Sequence, residues 1–200
     1  MTKVTCDSGV SLDGFSAGPD QTLDDPLGKG GERMHRWMFE QPEANKAERE
    51  AIVQAGAFIM GRHMFCPDRG EWDLDWHGWW GADPPYHAPV FVLGHREREP
   101  LEMEGGTTFH FVTDGIEAAM ERAKEAAGDR TVSIAGGAST VQQYLRAGLI
   151  DELRLHIAPR MLGAGERLFD GVPPLRVEQV SGRSASLVTH ITYRVHPASA

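Results

Sequence analysis

The chain has 200 residues, of which 40% are hydrophobic and 24% charged; that balance belongs to an ordinary globular protein and excludes a disordered one. A formal net charge of -9, with no Lys/Arg run, makes nucleic acid and an anionic membrane poor partners for its surface. Only Cys6 and Cys66 are available for redox chemistry, no apolar signal segment opens the chain, and no apolar run is long enough to span a membrane, so reduced thiols in a cytoplasmic protein are expected.

Lys3–Cys6 alternates and is β-prone, which predicts a first strand. Gly, Asp and Pro then crowd Gly9 to Gly31, a long loop of the kind that often carries function. Glu32–Gln41 and Ala44–Ala55 read as helices parted by Pro42. In the second, Ala47, Ala51 and Ile52 share one stripe and Gly56 supplies the stop. Ala57–Met60 is wholly apolar and ends at Gly61, as a strand buried on both faces does. Residues 67–89 form an irregular insertion with Trp72, Trp76, Trp79, Trp80, His77, Tyr86 and His87. Val90–Leu93 and Thr107–Val112 are further strands. A helix follows, capped by Thr113 or Asp114, striped by Ile116, Ala119, Met120 and Ala123, and ended by Gly128. Thr131–Ala135 is a strand that runs into Gly136-Gly137, and the helix after it, marked by Val141, Tyr144 and Leu145, stops at Gly148. Asp151–Ala158 alternates, and Leu175–Val180 and Ser186–Val195 close the chain as strands split by Gly182. Strand and helix thus alternate four times before a run of strands. This predicts an α/β fold in one domain over 1–200, with a mainly parallel sheet covered on both faces and a C-terminal antiparallel hairpin.

Three of these strands end alike. Ile134-Ala135-Gly136-Gly137 leads straight into a helix beginning Ala138-Ser139-Thr140, whose free N–H groups and positive dipole end suit a phosphate. This is not the G-x-G-x-x-G fingerprint, so a standard dinucleotide turn is disfavoured; a plain tight turn is the bland alternative. Met60-Gly61 is followed by Arg62, His63 and Met64, and Leu93-Gly94 by His95 and Arg96. Ligands of open α/β sheets bind at strand C-terminal ends, and a guanidinium fork fits a phosphate. The coincidence of three glycine-terminated strands describes one crevice for an extended anionic ligand. Each segment alone could equally be a surface turn.

The ordered set Ser11-Leu12-Asp13-Gly14, Met60-Gly61-Arg62-His63, Leu93-Gly94-His95-Arg96, Ile134-Ala135-Gly136-Gly137 and Asp151 through Pro159, Leu162-Gly163 and Leu168-Phe169 resembles the dihydrofolate reductase-like superfamily. The nearer similarity is to the reductase domain of the bifunctional riboflavin-biosynthesis deaminase–reductase, and it covers about Lys3 to Val195. The resemblance implies a three-layer sandwich around a central mixed sheet of about eight strands, NADPH as cofactor, a small-molecule substrate, and a homodimer. It implies that Gly61, Arg62, His63 and Met64 meet the pyrophosphate and adenosine phosphate. Leu93, His95 and Arg96 then lie near the 2′-phosphate. Ala135, Gly136, Gly137, Ala138, Ser139 and Thr140 hold the pyrophosphate, with the glycine pair commonly joined by a cis peptide. Cys6 and Asp7 lie beside the nicotinamide, Asp7 towards the substrate, and Gly14 is in the loop that closes over it. Glu32 and Glu40 do not sit as the pterin-binding acid of true dihydrofolate reductases does, and Phe15 stands where riboflavin-pathway reductases typically carry Lys after Asp-Gly.

Asp13 is the candidate catalytic residue, because hydride transfer to C=N or C=O needs a proton partner; an Asp that merely holds its own turn is the alternative. Trp76 and Trp79 are candidate walls for a flat substrate, or else rings that pack the insertion onto the core or a partner. His77 and His87 lack any metal-binding spacing, so no metal is expected, and Cys66 before Pro67 reads as a packed thiol. The function expected is NADPH-dependent reduction of a small, flat, pterin- or pyrimidine-like substrate. A ligand-binding or regulatory protein that keeps the fold without a competent proton donor is the alternative.

Overall fold

The computed structural model describes residues 2–68 and 70–196. Within them the chain forms β1 (Val4–Ser11), β2 (Phe15–Ala17), a 3-10 turn (Gly31–Met34), α1 (Arg36–Glu40), α2 (Lys46–Val53), β3 (Ala57–Gly61) and α3 (Arg62–Phe65). After the Trp-rich segment come β4 (Pro89–Leu93), β5 (Leu101–Glu102), β6 (Thr108–Val112), α4 (Ile116–Ala127), β7 (Val132–Gly136) and α5 (Ala138–Arg146). The chain closes with β8 (Glu152–Ala158), β9 (Glu166–Arg167), β10 (Arg176–Ala185) and β11 (Val188–His196).

Nine strands form one mixed sheet in the order β10-β11-β8-β1-β7-β3-β4-β6-β5, and β2 and β9 pair separately. The six central strands from β8 to β6 are all parallel. The hairpin β10–β11 joins β8 antiparallel at one edge, as the sequence predicts. The count is nine and not about eight because two residues after Arg98, Leu101 and Glu102, pair antiparallel with β6.

Alternation along the strands explains the layers. In β3, Ala57 and Ile59 face a cluster with Val4, Cys6, Val132 and Ile134 that α4 and α5 cover through Ala119, Met120, Ala123, Val141, Tyr144 and Leu145. Phe58 and Met60 face the opposite cluster, with Phe65, Tyr86, Val90, Val92 and Phe109. A strand covered on both faces has no polar side to show, hence the apolar run. Tyr144 is fully buried, and its hydroxyl donates to the carbonyl of Ile116 at 2.8 Å, tying α5 to α4.

Two expectations change for physical reasons. The first strand runs on to Ser11, three residues into the loop expected from Gly9; Gly9 fits within the strand because a Cβ there would stand 2.8 Å from His35 Cε1. The missing side chain lets the segment before α1 lie directly on the sheet. The helix expected over Glu32–Gln41 is broken at His35, whose φ of -103° and ψ of 3° separate the 3-10 turn from α1.

Phe109 is fully buried against the rings of Phe65, Trp80 and Tyr86, at centroid distances of 5.0, 5.8 and 6.4 Å. Phe109→Ala should therefore lower unfolding stability by about 3–5 kcal/mol, read as a lower urea midpoint with an unchanged slope.

Candidate functional site at the strand C-terminal edge

Because the six central strands run parallel, their C-terminal ends share one edge. In spatial order it presents Ala158 to Gly163 after β8, Ser11 to Gly14 after β1, Gly136 to Thr140 after β7, Gly61 to Met64 after β3, and Leu93 to Arg96 after β4. The segments singled out in the sequence are thus neighbours, and the Trp-rich one joins them through Arg62, Met64, Phe65 and Arg96.

The ends of β3 and β7 touch. A Cβ at Gly61 would stand 2.4 Å from Thr140 Oγ1, and one at Gly136 3.2 Å from Met64 Sδ. Gly136 has φ of 130°, a conformation that glycine alone adopts readily, and the Gly136–Gly137 peptide is cis. A Cβ at Gly137 would meet nothing within 4 Å, so open space lies over the start of α5. The first N–H groups of a helix lack the usual intrahelical acceptor; here that of Thr140 closes on the Gly137 carbonyl at 3.1 Å, which leaves those of Ala138 and Ser139 at the dipole's positive end. Beside it, Gly18, Pro19, Asp20 and Gln21, His63 and Pro67, and Gly165 and Glu166 line a cleft of about 390 Å³.

The arginines are engaged inside the chain. The Arg62 guanidinium lies 3.9 Å above the Trp72 ring and donates to the carbonyl of Gly70 at 2.6 Å. Arg96 is exposed and paired with Glu71, while the Trp72 indole donates to the Arg96 carbonyl at 3.1 Å. A phosphate reaching either guanidinium would exchange these partners. Arg62 and Arg96 are so linked through Trp72 and the segment around Glu71, a connection invisible in the spacing of the sequence.

Trp76 and Trp79 are tied down as well. Their indole N–H groups donate to the carbonyls of Phe65 and Met64 at 2.8 and 2.9 Å, and the two rings meet edge to face at 4.6 Å. Trp72, Trp76 and Trp80 pack on the Phe58–Phe109 cluster. These hydrogen bonds anchor both rings to α3.

Asp13 clamps a loop. It accepts from Ser11 Oγ at 2.6 Å and from the backbone N–H groups of Leu162 and Gly163 at 3.0 and 2.8 Å. The Ser11 hydroxyl, then those two amides, hold its carboxyl down from 3.8 to about 2. A group this acidic keeps no proton near neutral pH, so it can orient a ligand but is a poor proton source. Cys6 is fully buried, and burial followed by the charge of Asp7 pushes its thiol well up, which makes it a packing group.

One cluster escaped the sequence reading. Asp7 on β1 points to the face opposite Cys6, where it meets Arg154 and His156 of β8; His190 of β11, Asn45, Trp37 and His35 lie around them. Histidines at alternating strand positions carry no local signature. Their meeting depends on the order β11-β8-β1, which no motif encodes. Burial and then the charge of His156 hold both His35 and His190 down to about 4.

A model of the RibD C-terminal domain family matches residues 2–190. Uncharacterized protein YyaP of Bacillus subtilis (strain 168) is 26% identical over 203 residues, covering 96% of this chain and 94% of its own. Two solved structures share the fold. One, a Shewanella sp. PV-4 protein assigned provisionally to riboflavin biosynthesis, has a TM-score of 0.65 at 24% identity, over 98% of this chain and 99% of the other. The second is the diaminohydroxyphosphoribosylaminopyrimidine deaminase/5-amino-6-(5-phosphoribosylamino)uracil reductase of Thermotoga maritima, with a TM-score of 0.61 at 15% identity, over 98% of this chain and 57% of that one. The fold is the dihydrofolate reductase-like one, as the ordered motifs imply.

Two measurements follow from this geometry. Asp13→Ala should speed hydrogen exchange at the Leu162 and Gly163 amides while leaving those of β7 and α5 protected. His35 and His190 stay neutral when folded but bind protons below 6.5 when unfolded, so stability should fall as pH drops from 6.5 to about 4. The urea midpoint, followed by tryptophan fluorescence, should decline over that window, and less steeply in His35→Phe.

Proposed function

The chain belongs to the RibD C-terminal domain family, and from that premise we propose that it is an NADPH-dependent reductase of a small, pyrimidine-like heterocycle. The observation that carries the reading is the glycine-built cradle between β3, β7 and α5. Gly61 and Gly136 bring two strand ends into contact, and Gly137 leaves the helix start uncovered. A pyrophosphate fits such a place by size and by charge. The nicotinamide would supply the hydride; the chain supplies position, electrostatics and the exclusion of water.

The residues divide the work along the edge. Ala138 and Ser139 offer backbone N–H groups to the pyrophosphate, while Thr140, whose own N–H is closed on the Gly137 carbonyl at 3.1 Å, sets its hydroxyl against Gly61. Met64 and Gly61 fix the facing wall. His63, one residue from Met64, lines the 390 Å³ cleft against the Gly18–Gln21 loop. His95 and Arg96, exposed beyond β4, reach for a 2′-phosphate, with Arg96 giving up Glu71 to do so. Asp13 holds the Leu162–Gly163 loop over the β1 end, which shapes the substrate side. The pyrimidine class comes from the Thermotoga maritima neighbour, whose reductase acts on 5-amino-6-(5-phosphoribosylamino)uracil. A homodimer is part of the proposal; in its support, β10 leaves a ten-residue strand at the sheet edge, a template for pairing.

The test is a fluorescence titration with NADPH and NADH, in which the tryptophans transfer energy to bound reduced nicotinamide. NADPH should bind in the micromolar range and more tightly than NADH, and Arg96→Ala should erase the preference. Gly137→Ala, whose Cβ meets no protein atom within 4 Å yet stands in the cradle, should fold normally and lose at least about tenfold in affinity. Absence of binding to either nucleotide overturns the cofactor. Binding without oxidation in the presence of 5-amino-6-(5-phosphoribosylamino)uracil overturns that substrate and favours a ligand-binding protein on the same fold.

A further inference from the structure

The reductase reading lacks a proton source, since Asp13 is ionised far below neutral pH. The polar cluster on the other face of β1 supplies a candidate. The β1–β7 ladder ends at Cys6 and Ile134, whereas β1 continues beside β8 as far as Ser11 and Ala158. Asp7 is therefore the first residue of β1 past the fork between β1 and β7, next to the cradle. Its side chain is 5% exposed, and neither carboxylate oxygen has a hydrogen-bond donor among the described residues. The nearest cationic atoms are Arg154 Nη1, 3.5 Å from Oδ2, and His156 Nε2, 3.6 Å from Oδ1.

The hydrogen bonds behind His156 fix where its protons go. Asn45 Nδ2 donates to the carbonyls of Trp37 and Gln41, at 3.3 and 2.9 Å, and Arg183 donates to Asn45 Oδ1 at 3.0 Å. The Asn45 oxygen must therefore face His190 Nε2, 3.0 Å away, and that nitrogen must carry a proton. His190 is neutral above about 4, so its Nδ1 is an acceptor. His156 Nδ1, 2.8 Å from it, then has to donate. A neutral His156 would thus aim the bare lone pair of Nε2 at an ionised Asp7, two acceptors 3.6 Å apart. One proton on either partner removes the conflict, and the pair is too buried to leave it uncompensated.

We propose that Asp7 and His156 together hold one proton at the fork between β1 and β7, and that this proton is the one the substrate receives during reduction. The proposal rests on the reductase reading above. The balance is simple. A C=N or C=O carbon of the substrate takes a hydride, with its two electrons, from the reduced nicotinamide. The π pair moves to the nitrogen or oxygen, which takes the proton from the pair. The product is a CH–NH or CH–OH, the nicotinamide is left oxidised, and the pair regains a proton from solvent. Arg154, bridged to Glu152, flanks Asp7, while His35 and His190 flank His156. Arg183 and Glu48 act on the chain through Asn45.

A purely structural network would anchor α1 and α2 to the sheet without holding a spare proton. Nitrogen NMR of histidine-labelled wild-type protein, with the infrared band of the carboxyl group assigned through Asp7→Asn, separates the two at neutral pH. The expected result is one proton, found as a doubly protonated His156 or as a protonated Asp7. A neutral His156 beside an ionised Asp7 overturns the proposal. In turnover with NADPH and 5-amino-6-(5-phosphoribosylamino)uracil, Asp7→Asn should keep NADPH affinity and KM. It should lose about a hundredfold or more in kcat, together with the alkaline fall of the wild-type pH profile. Unchanged kcat in Asp7→Asn also overturns it. A wild type that binds NADPH but does not reduce this probe removes the pyrimidine substrate alone, and the spectroscopic arm still decides whether the proton is there.

Discussion

The contact between the ends of β3 and β7 is the constraint on which the rest of the structure depends. With glycine at 61 and 136, the strand ends close to the distance at which Thr140 Oγ1 and Met64 Sδ occupy the places of two missing side chains. That closure sets where α5 begins, and so where its unpaired N–H groups point. On that side β7 shifts register against β3 between Ile59 and Met60; on the other it pairs with β1 only as far as Cys6, which leaves the fork. The crevice is thus made by backbone, and side chains decorate it. A larger residue at Gly61 would press on Thr140 and push β3 from α5, and one at Gly136 would press on Met64 and strain a backbone of φ 130°.

How much of this could be read beforehand depended on whether the cause was local. The apolar runs of β3 and β4, the alternation of β8 and the stripe of α4 are local, and each element lies within a few residues of its expected place. The glycine-terminated strands are local too, and the parallel order then gathers them at one edge without further information. Gly9 misled because its reason is not local; it is a glycine within a strand, demanded by the His35 ring across the gap. The anchoring of Trp76 and Trp79 was not legible either, since it depends on the carbonyls of Phe65 and Met64. The Asp7–His156–His190–Asn45 chain was illegible for the same reason, with its members spread over four separate segments.

The two sides of the crevice use charge differently. On the β3–β4 side, cations are stored against internal partners: Arg62 over Trp72, Arg96 with Glu71, and Arg98 over Phe65, Trp72 and Phe111. Those of Arg62 and Arg96 are exposed or partly exposed, so solvent screens them and exchanging a partner costs little. Such a store keeps the edge ordered until an anion arrives, and suits a ligand recognised mainly by its charge. On the β1–β8 side the groups are buried, and every exchange there costs desolvation as well.

That asymmetry bears on which side can do chemistry. A proton donor needs a state that solvent does not level, and a buried pair fixed by neighbours of known hydrogen-bonding direction provides one. Asn45 gives the direction: its amide is oriented by two backbone carbonyls and a guanidinium, and each step outward through His190 and His156 has only one consistent assignment. Asp13 lies in the opposite situation, with its oxygens satisfied by a hydroxyl and two amides that favour the charged form. Two carboxylates on one strand and the turn after it are thereby pushed to different tasks. Asp13 holds a loop, while Asp7, at the fork between β1 and β7 and without a donor of its own among the described residues, is the one proposed to share the proton.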